Sequence, residues 1–120
     1  MIELRGLVGK TIVSISGMEE SSEEIIFKFS DGTFAKFYHK QDCCEHVDVE
    51  DICGDAEDLI GSPIIVAREA ESSCETEYGS ETATFYEFAT NKGSVTVRWV
   101  GRSNGWYSER VDIEYGVVEP

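Results

Sequence analysis

Apolar and polar residues alternate with a period of two along several stretches of this chain, the pattern of half-buried β-strands. Thr11 to Ser16 reads as a first strand, carrying Ile12, Val13 and Ile15. Glu24 to Phe29 reads as a second, with Ile25, Phe27 and Phe29 on one face. Ser30-Asp31-Gly32 is a hairpin signal, and Thr33 to Lys40 follows as a third strand. The three predict an antiparallel meander, preceded by a short turn or helix over Glu3 to Val8 and interrupted by a loop at Gly17 to Ser22.

After Asp42 the period changes. Val49, Ile52, Cys53, Ala56, Leu59 and Ile60 recur at three- to four-residue intervals, which is helical spacing. It predicts a helical segment over Val47 to Ile60, split by Gly54 into two short helices and ended by Gly61-Ser62-Pro63. Its carboxylates form a solvated outer face without calcium-loop spacing. Ile64 to Glu71 reads as a fourth strand bearing Arg68, and Ser72 to Ser80 as a polar, acidic, mobile loop. Thr82 to Thr90 is an aromatic-rich strand with Phe85, Tyr86 and Phe88, turned by Asn91-Lys92-Gly93.

The next stretch, Ser94 to Arg110, predicts a hairpin. Val95, Val97 and Trp99 alternate with Thr96, Arg98 and Val100; Gly101 to Gly105 reads as a five-residue turn, and a second strand starts at Trp106-Tyr107. Arg110 to Tyr115 reads as the last strand, with Val111, Ile113 and Tyr115 facing inward. The expected fold class is α+β: one domain over 1–120, a mainly antiparallel β-sheet with a helical insertion after the third strand.

Composition narrows this picture. At 120 residues the chain encloses one core, and 41 % hydrophobic with 11 % aromatic residues excludes disorder. No run of about 18 apolar residues exists to cross a membrane as a helix. The opening MIELRGLVGK carries Glu3 and lacks a long apolar stretch, so no secretion signal is expected and the predicted compartment is the cytoplasm. Cys43, Cys44, Cys53 and Cys74 do not space like a secreted disulfide framework, and free thiols are expected.

The net charge of −14 argues against a general binder of nucleic-acid polymers, which needs a basic face. Its distribution is uneven. Thr82 to Ile113 carries +1, whereas the remaining residues carry −15. Three of the five arginines (Arg98, Arg102, Arg110) and both tryptophans lie within that near-neutral region. Guanidinium forks beside flat aromatic faces suit a phosphate and a base held together. The plain alternative is a hairpin with solvated arginines and core tryptophans.

Other chemistries fit less well. His39, Cys43, Cys44, His46, Cys53 and Cys74 lack the paired spacing of a zinc cage, so no metal is expected. A Cys/His nucleophile pair has no recognisable oxyanion site beside it. The carboxylates sit in acidic runs and not in an apolar pocket that would raise one pKa. Gly6 to Thr11 ends in Gly-Lys-Thr, but its first glycine is one residue too near for a P-loop, and no dinucleotide fingerprint occurs. These readings point to a binder, not an enzyme, with no cofactor.

Two segments carry a resemblance. Gln41-Asp42-Cys43-Cys44-Glu45, with Val49-Glu50-Asp51-Ile52-Cys53-Gly54-Asp55 and Asp58-Leu59-Ile60-Gly61, resembles small phage and prophage proteins long classed as a domain of unknown function. So does Thr84 to Thr90 with Gly93 to Trp99 and Ser103 to Ser108, the likeness running from about Leu7 to Glu114. This group resembles the first type of Thoeris anti-defence protein, phage sponges that sequester cyclic ADP-ribose isomers made by bacterial TIR-domain immune enzymes.

The resemblance implies an α+β homo-oligomer in the host cytoplasm, a dimer or larger, with ligand sites at subunit boundaries and no hydrolysis. It implies an aromatic for the adenine (Phe85 or Trp106), an asparagine for a base or ribose edge (Asn91 or Asn104), and Arg98, Arg102 and Arg110 for the pyrophosphate. Some such proteins also bind cyclic oligonucleotides at separate sites. The acidic Ser72 to Glu81 stretch has no counterpart in the resemblance. The runner-up is an acidic phage inhibitor that mimics DNA and binds a basic host defence protein, which the −14 charge favours.

Overall fold

The computed structural model describes residues 4–41, 44–77, 79–105 and 107–118. Its strands are β1 (Ile12–Ser16), β2 (Glu24–Phe29), β3 (Thr33–Tyr38), β4 (His46–Cys53), β5 (Val66–Thr76), β6 (Gly79–Thr90), β7 (Gly93–Ser103) and β8 (Asp112–Val117). They form two four-stranded sheets, in the orders β1-β2-β3-β8 and β4-β7-β6-β5, and every neighbouring pair is antiparallel. Among the described residues the helical content is two short 3-10 turns, Leu4–Leu7 and Ala56–Leu59.

The inner faces of the sheets meet over aromatic rings. Phe27 and Phe37 come from the first sheet, Tyr86 and Phe88 from the second. Phe27 and Phe88 stand 5.0 Å apart between centroids and Phe37 and Tyr86 5.1 Å, both edge-on. Trp99, Val97, Val95, Val47 and Val49 extend this core along β7 and β4. Alternation does the selecting: on β6, Thr82, Thr84, Tyr86, Phe88 and Thr90 are buried while the residues between them are half-exposed.

The meander holds as predicted, with β2 at the expected residues. Its Asp-Gly turn is fastened at Asp31, whose carboxylate accepts Thr33 N at 3.0 Å and Lys10 Nζ at 2.5 Å. Lys10, followed by Thr33, holds the Asp31 carboxyl down at about 2.

The expected α+β class is overturned: this is a two-sheet β structure without the helical insertion. Val47 to Cys53 is strand β4, paired with β7. Val47 and Val49 follow a two-residue period. The register then shifts between Val49 and Asp51, and Ile52 returns to the inner face opposite Val97. A bulge inside a strand, followed by a 3-10 turn, imitates helical spacing. Gly54 ends β4 at φ +114°, where a side chain would strike Ser94 O.

Two further expectations fall. Ser72 to Thr76 is not a loop but the end of β5, and Gly79 and Ser80 open β6. The two strands pair continuously from Val66–Ala89 to Thr76–Gly79, and Tyr78 lies outside the described residues. Gly101 to Gly105 is not a hairpin turn either. β7 continues through Ser103, and the chain then crosses to the other sheet to form β8 beside β3. Among the described residues no helix is long and apolar enough to cross a membrane.

Candidate functional site

The expected ligand residues separate into different places. On the outer face of the second sheet, β6 and β7 oppose Phe85 and Arg98, and the Arg98 guanidinium lies 5.7 Å from the Phe85 ring centre. The β4 bulge sets Glu50 and Asp51 against this one arginine. Glu50 reaches Arg98 Nη1 at 2.9 Å and Arg102 Nη2 at 3.4 Å, and Glu81 reaches Arg102 at 2.9 Å. Arg68 pairs across the strands with Glu87. The face is thus a ladder of alternating charge. Each exposed pair contributes only about 0–1 kcal/mol, but a phosphate arriving here would meet the displaced carboxylates at close range.

Arg110 belongs to another site. A cleft of about 380 Å³ is lined by His39 and Lys40 after β3, Gln41 and Glu45 before β4, and Ser108, Arg110 and Asp112 at the entry to β8. Its floor is a buried pair: the His39 and Glu45 side chains are 4 % and 0 % exposed. His39 Nδ1 lies 2.7 Å from the Arg110 carbonyl oxygen and Nε2 lies 2.7 Å from Glu45 Oε2. A carbonyl accepts only from N–H, so Nδ1 carries a proton. Nε2 then meets a carboxylate, and that contact requires a second proton, on the ring or on Glu45. Both ring nitrogens are thus engaged. Gln41 Nε2 donates to Glu45 O at 2.6 Å, and Asp112 Oδ2 accepts Lys40 N at 3.0 Å. Above this floor Arg110 is 73 % exposed, with Asp112 at 3.8 Å.

The remaining expected residues do not converge. Asn91 lies in the β6–β7 turn, six residues past Phe85, or about 20 Å along the strand. Asn104 lies on the segment after β7, and Trp106 lies outside the described residues. Cys53 and Cys74 are free, exposed thiols, but Cys44 is disulfide-bonded, against the expectation of thiols throughout. That expectation came from compartment and spacing, which say nothing of local geometry. No three of the described His, Cys, Asp and Glu residues gather as metal ligands.

Sequence reasoning missed a second buried acid. Glu109, 7 % exposed, accepts from the hydroxyls of Ser80 and Ser103, and from Thr82 Oγ1 at 2.8 Å. Burial pushes its carboxyl up, but the Ser103, Ser80 and Thr82 hydroxyls together outweigh burial and hold it below its ordinary value. Elsewhere in the core, burial and the charge of Glu69 push the phenols of Tyr86 and Tyr115 up. The donors to Glu109 come from β6 and β7, so no local motif announces it.

Gly101 makes room for this acid. A Cβ there would stand 2.5 Å from Glu109 O and 2.7 Å from Glu109 Cβ. Gly101→Ala is therefore expected to displace the crossover and cost about 1–3 kcal/mol, read as a lower urea midpoint at unchanged m-value. An unchanged midpoint would show that the crossover gives way freely.

A family model described as "Domain of unknown function (DUF7448)" matches residues 5–113. No curated protein and no solved structure matches the chain.

Proposed function

The chain belongs to the DUF7448 family, and we propose that it is a binding protein that sequesters, without cleaving, a cyclic ADP-ribose-type nucleotide in the His39–Arg110 cleft. The observation that carries this reading is Arg110, 73 % exposed and no closer than 3.8 Å to the Asp112 carboxylate, standing beside Lys40 and Ser108. Lys40 and Ser108 offer donors for a pyrophosphate, and the guanidinium offers two parallel hydrogen bonds. The −14 charge opposes approach at long range, so retention depends on such short contacts.

Retention without turnover suits the buried pair, because His39 has both ring nitrogens engaged and neither is free to take a proton from a ligand. A cleft of about 380 Å³ is at the small end for such ligands. A second copy of the chain would complete the enclosure, which makes the working form a homo-oligomer in the host cytoplasm.

Calorimetry with purified cyclic ADP-ribose isomers tests the reading. The parent is expected to bind and to release the ligand intact on heating. Arg110→Ala is expected to weaken binding about ten- to a hundredfold, since a charged hydrogen bond contributes roughly 1.5–3 kcal/mol. Arg98→Ala and Arg102→Ala, both already paired with Glu50, are expected to change affinity less than threefold or so. A parent that binds no such nucleotide ends the proposal, and a folded Arg110→Ala protein that binds like the parent moves the site elsewhere.

A further inference from the structure

We propose that the free edge of β5, from Arg68 to Thr76, docks an extended basic segment of another protein, added to the second sheet as a further strand. The inference is independent of the nucleotide cleft, and it gives the acidic-inhibitor alternative a definite surface. β5 ends its sheet, and among the described residues no strand pairs with its other edge. From Arg68 onward every residue of β5 is exposed, and on its inward face the Glu69 carboxylate accepts from the Tyr86 hydroxyl at 3.4 Å. Half of its peptide groups, those turned away from β6, are thus open to a partner backbone.

The side chains state what that partner carries. Glu69, Glu71 and Glu75 oppose Tyr86, Thr84 and Ser80, the face of β6 that turns inward. They stand at i, i+2 and i+6, all on one face of β5, about 7 and 14 Å apart. With Glu77 they set four carboxylates against the single Arg68 between 68 and 77. An added strand has the same two-residue period, so lysines or arginines at alternate positions fall opposite this row. Cross-strand pairs of opposite charge stabilise a sheet and like pairs destabilise it.

The same row excludes a second copy. Symmetric antiparallel pairing of β5 with itself must match odd residues to odd residues, since opposed side chains share a face. Centred at any residue from 69 to 73, such pairing brings glutamate opposite glutamate: 69 with 69, 69 with 71, 71 with 71, 69 with 75, or 71 with 75. The edge repels its own kind and admits a cationic one, which is the peptide-addition mode of recognition.

The test uses the full chain and a blocked peptide of about ten residues alternating lysine with valine. A control peptide of equal charge carries proline at alternate positions, which removes the backbone donors. Fluorescence anisotropy is expected to show the first peptide binding at least tenfold more tightly than the second. Hydrogen exchange is expected to slow at the edge-facing amides between Arg68 and Thr76. A triple variant, Glu69→Gln with Glu71→Gln and Glu75→Gln, is expected to lose about tenfold in affinity at low salt. Equal binding of the two peptides would reduce the effect to bulk charge and overturn the proposal. No binding at millimolar peptide would overturn it too, leaving the glutamates as guards of a bare edge.

Discussion

Glu109→Ala is expected to remove about 3–4 kcal/mol of folding free energy, against a total of about 5–15 for a domain of this size. The side chain is almost wholly buried, and three hydroxyls converge on its carboxylate. Hydrogen bonds to a charged group contribute roughly 1.5–3 kcal/mol each, but the donors keep some company after truncation. Thr82 still has Ser73 at 3.0 Å, and Ser103 still has Tyr107 O at 3.3 Å. The net loss is therefore smaller than three full bonds. It falls on the crossover between the sheets, which Glu109 fastens to β6 and β7.

The acid side of the stability curve checks the same group. The folded pKa of Glu109 lies below its ordinary 4.5. Between the two values the unfolded chain binds the extra proton, so stability rises with pH there. The contribution is complete above the ordinary value and is lost as pH falls through the folded one. Urea midpoints measured between about pH 3 and pH 7 should fall more steeply below 4.5 in the parent than in Glu109→Gln. Matching acid slopes, with midpoints alike at neutral pH, would show that the carboxylate fastens nothing.

What the sequence made legible follows from which residues report burial. Glu24–Phe29 and Thr33–Tyr38 bury every second residue against the other sheet, and their turn carries Asp-Gly, so alternation and turn chemistry agreed. β5 had no such signal. An edge strand exposed on both faces has no burial period, and what makes Ser72 to Glu75 a strand is backbone pairing with β6. In β4 the signal was present but shifted in phase by the bulge. Gly101 looked like a turn residue and is instead a gap through which Glu109 passes.

The candidate sites were legible only in part, for a related reason. The sequence set arginines and aromatics in one region, and Phe85 and Arg98 face each other across β6 and β7. Their glutamate partners come from β4 and β6, Glu50 and Glu81, and register alone brings those close. His39 and Glu45 are only six residues apart, within the stretch weighed for zinc or a nucleophile. Of the two hydrogen bonds that occupy the ring, one ends on the Arg110 carbonyl, seventy-one residues further on.

Phe88→Ala is expected to cost about 3–5 kcal/mol and to bring the domain to the edge of unfolding at room temperature. Phe88 is 1 % exposed and sits where the two sheets meet. Its ring centre lies 5.0 Å from Phe27, 5.7 Å from Phe37 and 6.2 Å from Tyr86, the first two edge-on and the last stacked. Truncation removes a benzyl group's burial, leaves a cavity between paired strands that resist collapse, and dissolves ring contacts worth about 0.5–1.5 kcal/mol each. Phe85, three residues earlier on the same strand, makes the internal control. It faces outward, is half-exposed and has the Arg98 guanidinium beside its ring, so Phe85→Ala is expected to cost about 1 kcal/mol. Thermal unfolding of the two variants side by side reads the difference. A Phe88→Ala protein that melts within a few degrees of Phe85→Ala would mean that the inner face of β6 is not the seam on which the two sheets are joined.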